Sequence, residues 1–163
     1  MTILKWFSLI FLVLLLQTQV AILNTSLNLT VVMVYTYGLK SLSTKPSGSL
    51  LNSAEMKSTL FGTTIGLLED ILTGSLIGPA LFSKGVAGLS TSIIFSDVVF
   101  RWSALLGGIV LFILTILDGA TALGLRILFS EIHINSTTAF HTIGIQAIVN
   151  AVIGVLIKPN NLN

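Results

Sequence analysis

The sequence predicts an all-α membrane protein of about six transmembrane helices, with both termini in the cytoplasm. Three observations lead there. Charged residues make up only 9% of the 163-residue chain, against 53% hydrophobic, and the mean hydropathy is +0.99. A soluble domain covers itself with roughly 25% charged residues, so the solvent of this chain is expected to be lipid. The apolar residues gather into six segments, near 5–23, 27–43, 58–77, 79–96, 102–125 and 138–157. A bilayer core of about 30 Å takes about 20 residues per helix. Six spans therefore consume about 120 residues by the same figure, leaving one membrane domain over 1–163 and no room for a soluble one. The third observation is the placement of basic residues. With the N-terminus inside, Lys5, Lys40, Lys45, Lys57, Arg101 and Lys158 fall on the cytoplasmic side and only Arg126 falls near the outer side. That is a positive-inside bias.

Each segment has its own boundary signals. The first begins after Lys5 and runs past Gln17 and Gln19 with no small-x-small cleavage site, so an uncleaved span is expected rather than a signal peptide. A polar break at 24–28 separates it from the second. The loop 43–57, STKPSGSLLNSAEMK, carries the proline, glycine and serines of a turn region. Gly74, Ser75, Gly78 and Pro79 make the next turn, 97–101 another, and 131–137 the last. In the fifth segment Asp118-Gly119 reads as an interruption, after which 120–129 is expected to lie in the interface.

The polar residues inside these segments are the candidate site. Gly62, Gly66, Asp70, Gly74 and Gly78 recur every four residues and so share one helical stripe. Small residues at that spacing let a neighbouring helix approach closely, and the stripe is expected to be a helix-packing or partner-contact face. Asp70 lies on it, whereas Glu69 is turned about 100° away and is expected to tolerate change. A carboxylate inside a membrane is costly and is usually paired. Lys84, across the 74–79 turn at comparable depth, reads either as the partner of Asp70 or as a lysine that snorkels to the headgroups. Gln146, Asn150 and Gly154 repeat the four-residue spacing in the last segment, where amides hydrogen-bond across helices.

Catalytic chemistry finds little support. The chain has no cysteine, which removes disulfides, thiolate metal sites and cysteine nucleophiles. His133 and His141 are eight residues apart, unlike the i, i+4 zinc pair of a helix. No phosphate-binding glycine loop and no serine–histidine–acid arrangement is present. No cofactor is expected. The pI near 9.2 reflects basic cytoplasmic loops rather than nucleic-acid binding.

Several stretches together resemble the MreD family of bacterial rod-shape membrane proteins. LVLLLQTQV at 12–20 and LNLTVVMVYTYGL at 27–39 look like its first two spans. GTTIGLLEDILTGSLIGPALFSKGVAGLS at 62–90 is similar to its most recognisable segment, and IQAIVNAVIGVLI at 145–157 resembles its closing span with a central asparagine. The loop 43–57 is longer and more polar than that family leads one to expect. The fifth segment matches only in hydrophobicity. The resemblance implies a non-enzymatic, multi-pass protein of the bacterial inner membrane. It implies a bitopic partner of the MreC type and a link between the cytoplasmic MreB filament and the wall-elongation synthases. It also implies the six-helix architecture of the substrate-binding subunits of energy-coupling-factor vitamin transporters. A small-molecule-binding subunit, with Asp70, Lys84 and Asn150 lining a pocket, is the alternative.

Overall fold

The computed structural model describes residues 3–19, 21–22, 25–42, 53–74, 76–98, 103–129 and 136–157. The fold is all-α among these residues. Helix α1 spans Ile3–Gln19. A two-residue antiparallel hairpin follows, β1 (Ala21–Ile22) on β2 (Thr25–Ser26), with Ala21 opposite Ser26. Then come α2 (Leu29–Leu42), α3 (Ala54–Thr73), α4 (Pro79–Ile93), α5 (Ala104–Phe129) and α6 (Ser136–Leu156). A π-helical turn, Ile94–Val98, continues α4. Each of the six apolar segments thus carries one helix. Lys45, Arg101, His133 and Lys158, and most of the 43–57 loop, lie outside the described residues.

Local chemistry explains the helix ends. Ser53 caps α3 by accepting the Met56 amide at 3.2 Å, the usual way to satisfy a free first-turn N–H. Gly74 ends α3 with φ 60° and donates its own N–H to Ile71 O, the left-handed stop that glycine adopts without strain. Pro79 opens α4, where its missing N–H costs nothing. The fifth segment differs from expectation. Asp118-Gly119 does not interrupt it, and α5 runs unbroken for 26 residues. An aspartate whose oxygens are bonded to neighbouring helices leaves its own backbone free to stay helical.

The helices pair as α3 with α4 and α5 with α6, and α4 joins the two pairs through α5. Helix α2 lies against α3 and α4, and α1 packs on α2. Close approach in both pairs depends on glycine. A Cβ at Gly62 would run into the Lys84 carbonyl, and one at Gly66 into the Ala80 carbonyl. A Cβ at Gly154 would lie 2.7 Å from the Gly107 carbonyl oxygen.

The bundle buries charge alongside an apolar core of residues such as Val31, Tyr35, Leu111 and Leu114, and leaves many large apolar side chains outside. Its buried side chains include Asp70, Lys84, Asp118 and Asn150, while Leu128 is 76% exposed and Leu156 78%. Large apolar side chains such as Phe11, Ile71, Phe82, Ile113 and Val152 face outward on five of the six helices. Helices α5 and α6 are long and apolar enough to cross a membrane.

Candidate functional site

The buried charges form two neighbouring arrangements near the α3–α4 turn. The first is built on Asp70. Its Oδ2 accepts the Gly78 amide at 2.9 Å and the Leu81 amide at 3.1 Å, and its Oδ1 accepts the Ala80 amide at 3.2 Å. Pro79 has no amide to offer, and the Phe82 amide begins the intrahelical ladder by donating to Gly78 O. One carboxylate on α3 therefore satisfies every free N–H at the start of α4. A helix N-terminus carries about half a positive charge, so the buried carboxylate finds its counter-charge there. Gly78 has no side chain to cap with, and its φ of 131° is open to glycine.

Asp70 consequently does not pair with Lys84, one of the two readings the sequence allowed. Lys84 lies five residues beyond Pro79, deeper along α4, and its ammonium meets other acids. Its Nζ is 3.0 Å from Glu69 Oε2 and 3.4 Å from Asp118 Oδ2. The rotation that turns Glu69 off the Asp70 stripe aims it at α2 and at this lysine. Glu69 is thus an ion-pair partner, not the tolerant position expected. The members of the stripe also separate. Gly62, Gly66 and Asp70 face α4, but α3 stops at Thr73, so Gly74 and Gly78 serve the turn instead of the helix contact.

The second arrangement surrounds Lys84. Asp118 on α5 accepts the Ser83 hydroxyl at 2.6 Å on one oxygen and the Asn28 amide at 2.7 Å on the other. Glu69 accepts Thr30 Oγ1 at 2.9 Å and Gln17 Nε2 at 3.3 Å. Gln17 in turn accepts the Thr30 backbone amide through its Oε1. Asn150 on α6 donates to Asn28 O at 3.0 Å and to Thr115 Oγ1 at 3.1 Å, and Gln146 donates to Ser26 O at 2.7 Å. All six helices contribute to one connected polar core. Among the described residues, Asn150 Oδ1 is a buried atom with no hydrogen-bond partner.

Formally the Lys84 cluster holds two carboxylates and one ammonium, a surplus of one negative charge. Asp118 and Lys84 are each 2% exposed, whereas the Glu69 side chain is 17% exposed. Glu69 is therefore the edge of the cluster, and it opens between α1 and α3. The arrangement is equipped to hold helices in register and to present one carboxylate at the bundle surface. His141 is exposed on α6.

Sequence reasoning overlooked Gln17, Asn28, Thr30, Ser83 and Asp118. Asp118 was open to detection as the lone acid in the most apolar helix, where an ionisable residue normally faces a partner inside the bundle. The hydroxyls and amides gave no comparable signal. No family model, curated protein or solved structure matches the chain. The class defined by fold and site is thus an all-α, polar-cored bundle with two helices long and apolar enough to cross a membrane.

The cap makes a direct prediction. Asp70→Ala orphans three amides at the start of α4 and is expected to cost about 2 kcal/mol, the upper end for a lost cap. Asp70→Asn keeps one acceptor oxygen and should fall between. Thermal unfolding of the detergent-purified variants checks this order. An Asp70→Ala protein that melts with the wild type overturns the capping role.

Proposed function

We propose that the chain is a six-span inner-membrane protein of the MreD type, a non-catalytic component of the bacterial wall-elongation complex. The observation that carries the membrane part is the outward face of leucine, isoleucine and phenylalanine on five of the six helices, over an interior that also buries Asp70, Lys84 and Asp118. Lipid is the solvent in which that distribution is favourable. The resemblance in segment 62–90 carries the cellular role. Gly62, Gly66 and Asp70 of that segment hold α3 against α4 here. In this reading the bundle is a rigid intramembrane platform for a bitopic MreC-type partner and the wall synthases.

The alternative, a binding subunit for a small molecule, needs Asp70, Lys84 and Asn150 to line a pocket. Asp70 and Lys84 instead spend their polar groups within the bundle, and Asn150 donates to the Asn28 carbonyl just before α2 and to Thr115 of α5. That use of the side chains favours the scaffold.

Two experiments test the proposal. The native chain lacks cysteine, so single cysteines report topology without background. Cysteines at Ser53 and Ser103 are expected to label only from the cytoplasmic side, and one at Leu76 only from outside. Labelling of all three from one side refutes the six-span arrangement. Depletion in a rod-shaped host is expected to give round cells that lose co-purification of the bitopic partner with the synthases. Unaltered rods with an unaltered complex defeat the elongation role.

A further inference from the structure

We infer that the groove between α1 and α3 is a binding site for a membrane lipid with a primary-amine headgroup, held by Glu69. The groove has a volume of about 190 Å³ and is lined by Phe11, Leu14 and Leu15 of α1 and Leu72 of α3, with Gln17, Glu69 and Thr73 as its polar wall. The site rests on the multi-pass reading and is independent of any role in wall elongation.

Charge complementarity selects the occupant. The cluster behind the groove carries two carboxylates against the single ammonium of Lys84, which is spent between them. The surplus charge has one outlet, because Asp118 is sealed and Glu69 reaches the groove. Among the described residues Glu69 accepts from Lys84, Thr30 and Gln17. A carboxylate offers about four acceptor positions, and Thr30 divides its one proton between Glu69 and Asn28, so at least one is left for a ligand that donates N–H and carries positive charge. An anionic headgroup meets repulsion there, and a quaternary ammonium has no N–H to give.

Depth and shape agree with a lipid. Glu69 is four residues, about 6 Å, from the end of α3, which in the multi-pass reading sets it close to the headgroups. Gln17 is two residues from the end of α1. From Gln17 down to Phe11 the wall is apolar for six residues, about 9 Å, suited to the upper part of an acyl chain. The groove between α5 and α6, about 280 Å³ and lined by residues such as Ile109, Phe112 and Val152, is apolar throughout. It lacks any such selector.

The test uses the full chain purified from membranes in mild detergent, which first establishes that it is membrane-integral. The protein is loaded from micelles holding equal amounts of phosphatidylethanolamine, phosphatidylcholine and phosphatidylglycerol, then washed. Retained lipid is counted by native mass spectrometry. Phosphatidylethanolamine is expected to exceed each of the others about tenfold, the effect of one charge-assisted hydrogen bond at a half-shielded site. Glu69→Gln should abolish the preference. Leu72→Trp fills the groove beside Glu69 but replaces none of the ion-paired side chains, and should abolish the preference with little change in melting temperature. Equal retention of the three lipids by the wild type, or a preference that survives Leu72→Trp, overturns the site. So does a cysteine at Leu72 that cross-links to a co-purifying protein helix in place of lipid.

Discussion

Lys84→Met is expected to be the most damaging single substitution in the bundle. It removes the one cation between Glu69 and Asp118, at 3.0 and 3.4 Å, and leaves two carboxylates facing each other, that of Asp118 sealed inside the bundle. Breaking a buried pair from one side costs about 3–5 kcal/mol, because the stranded charge has lost its compensation. Replacing the partners as well removes the penalty without restoring the bond. A Lys84→Met, Glu69→Gln, Asp118→Asn triple variant is therefore expected to be more stable than Lys84→Met alone. Unfolding of the purified proteins by a denaturing detergent, followed by circular dichroism, gives the order. If the single and triple variants unfold together, Lys84 is not the keystone of the cluster.

Gly66→Leu is expected to be nearly as severe, through space rather than charge. Its first added carbon meets the Ala80 carbonyl on α4, and backbone cannot step aside as a side chain can. Overpacking of this kind costs typically 1–3 kcal/mol and occasionally more. The damage extends one turn further, because Asp70 reaches its three amides only while α3 and α4 stay in contact. Two other glycines serve as controls. Gly124 has open space around it, so Gly124→Ala should gain up to about 1 kcal/mol from helix propensity. Gly74 also has open space but sits at φ 60°, so Gly74→Ala should lose about 1–2 kcal/mol to backbone strain. Melting temperatures of the three variants separate contact from conformation. A Gly66→Leu protein as stable as Gly124→Ala removes the packing argument.

The positions of the six helices were legible because each is a run of apolar residues bounded by turn chemistry, and both are local properties. The close contact of α3 with α4 was legible for the same reason, since Gly62, Gly66 and Asp70 lie at one helical spacing. The partners of the charges were not. Asp118 looked like a break in an apolar run because its ligands are far away in the chain: Asn28 is 90 residues distant, Lys84 34 and Ser83 35. Glu69 was correctly rotated away from Asp70, but rotation says only where a side chain leaves, not what waits for it on α2 and α4. Gly74 and Gly78 matched the stripe arithmetically, yet a left-handed glycine ends the helix that arithmetic presumes.

The three bonds of Asp70 span only 8, 10 and 11 residues. The α3–α4 hairpin can therefore lock as soon as its second helix leaves the ribosome. Asp118 emerges later, and until it does Lys84 has Glu69 as its only acid among the clustered residues. At about 5–20 residues per second, the gap between Lys84 and Asp118 amounts to a few seconds. During that interval the growing chain holds a half-finished polar interior. Arrival of α5 closes it, and α6 follows with Asn150 to fasten the Asn28 carbonyl 122 residues upstream. The order of synthesis is thus written into the bond pattern as a timetable, with the hairpin as nucleus and the last helix as latch.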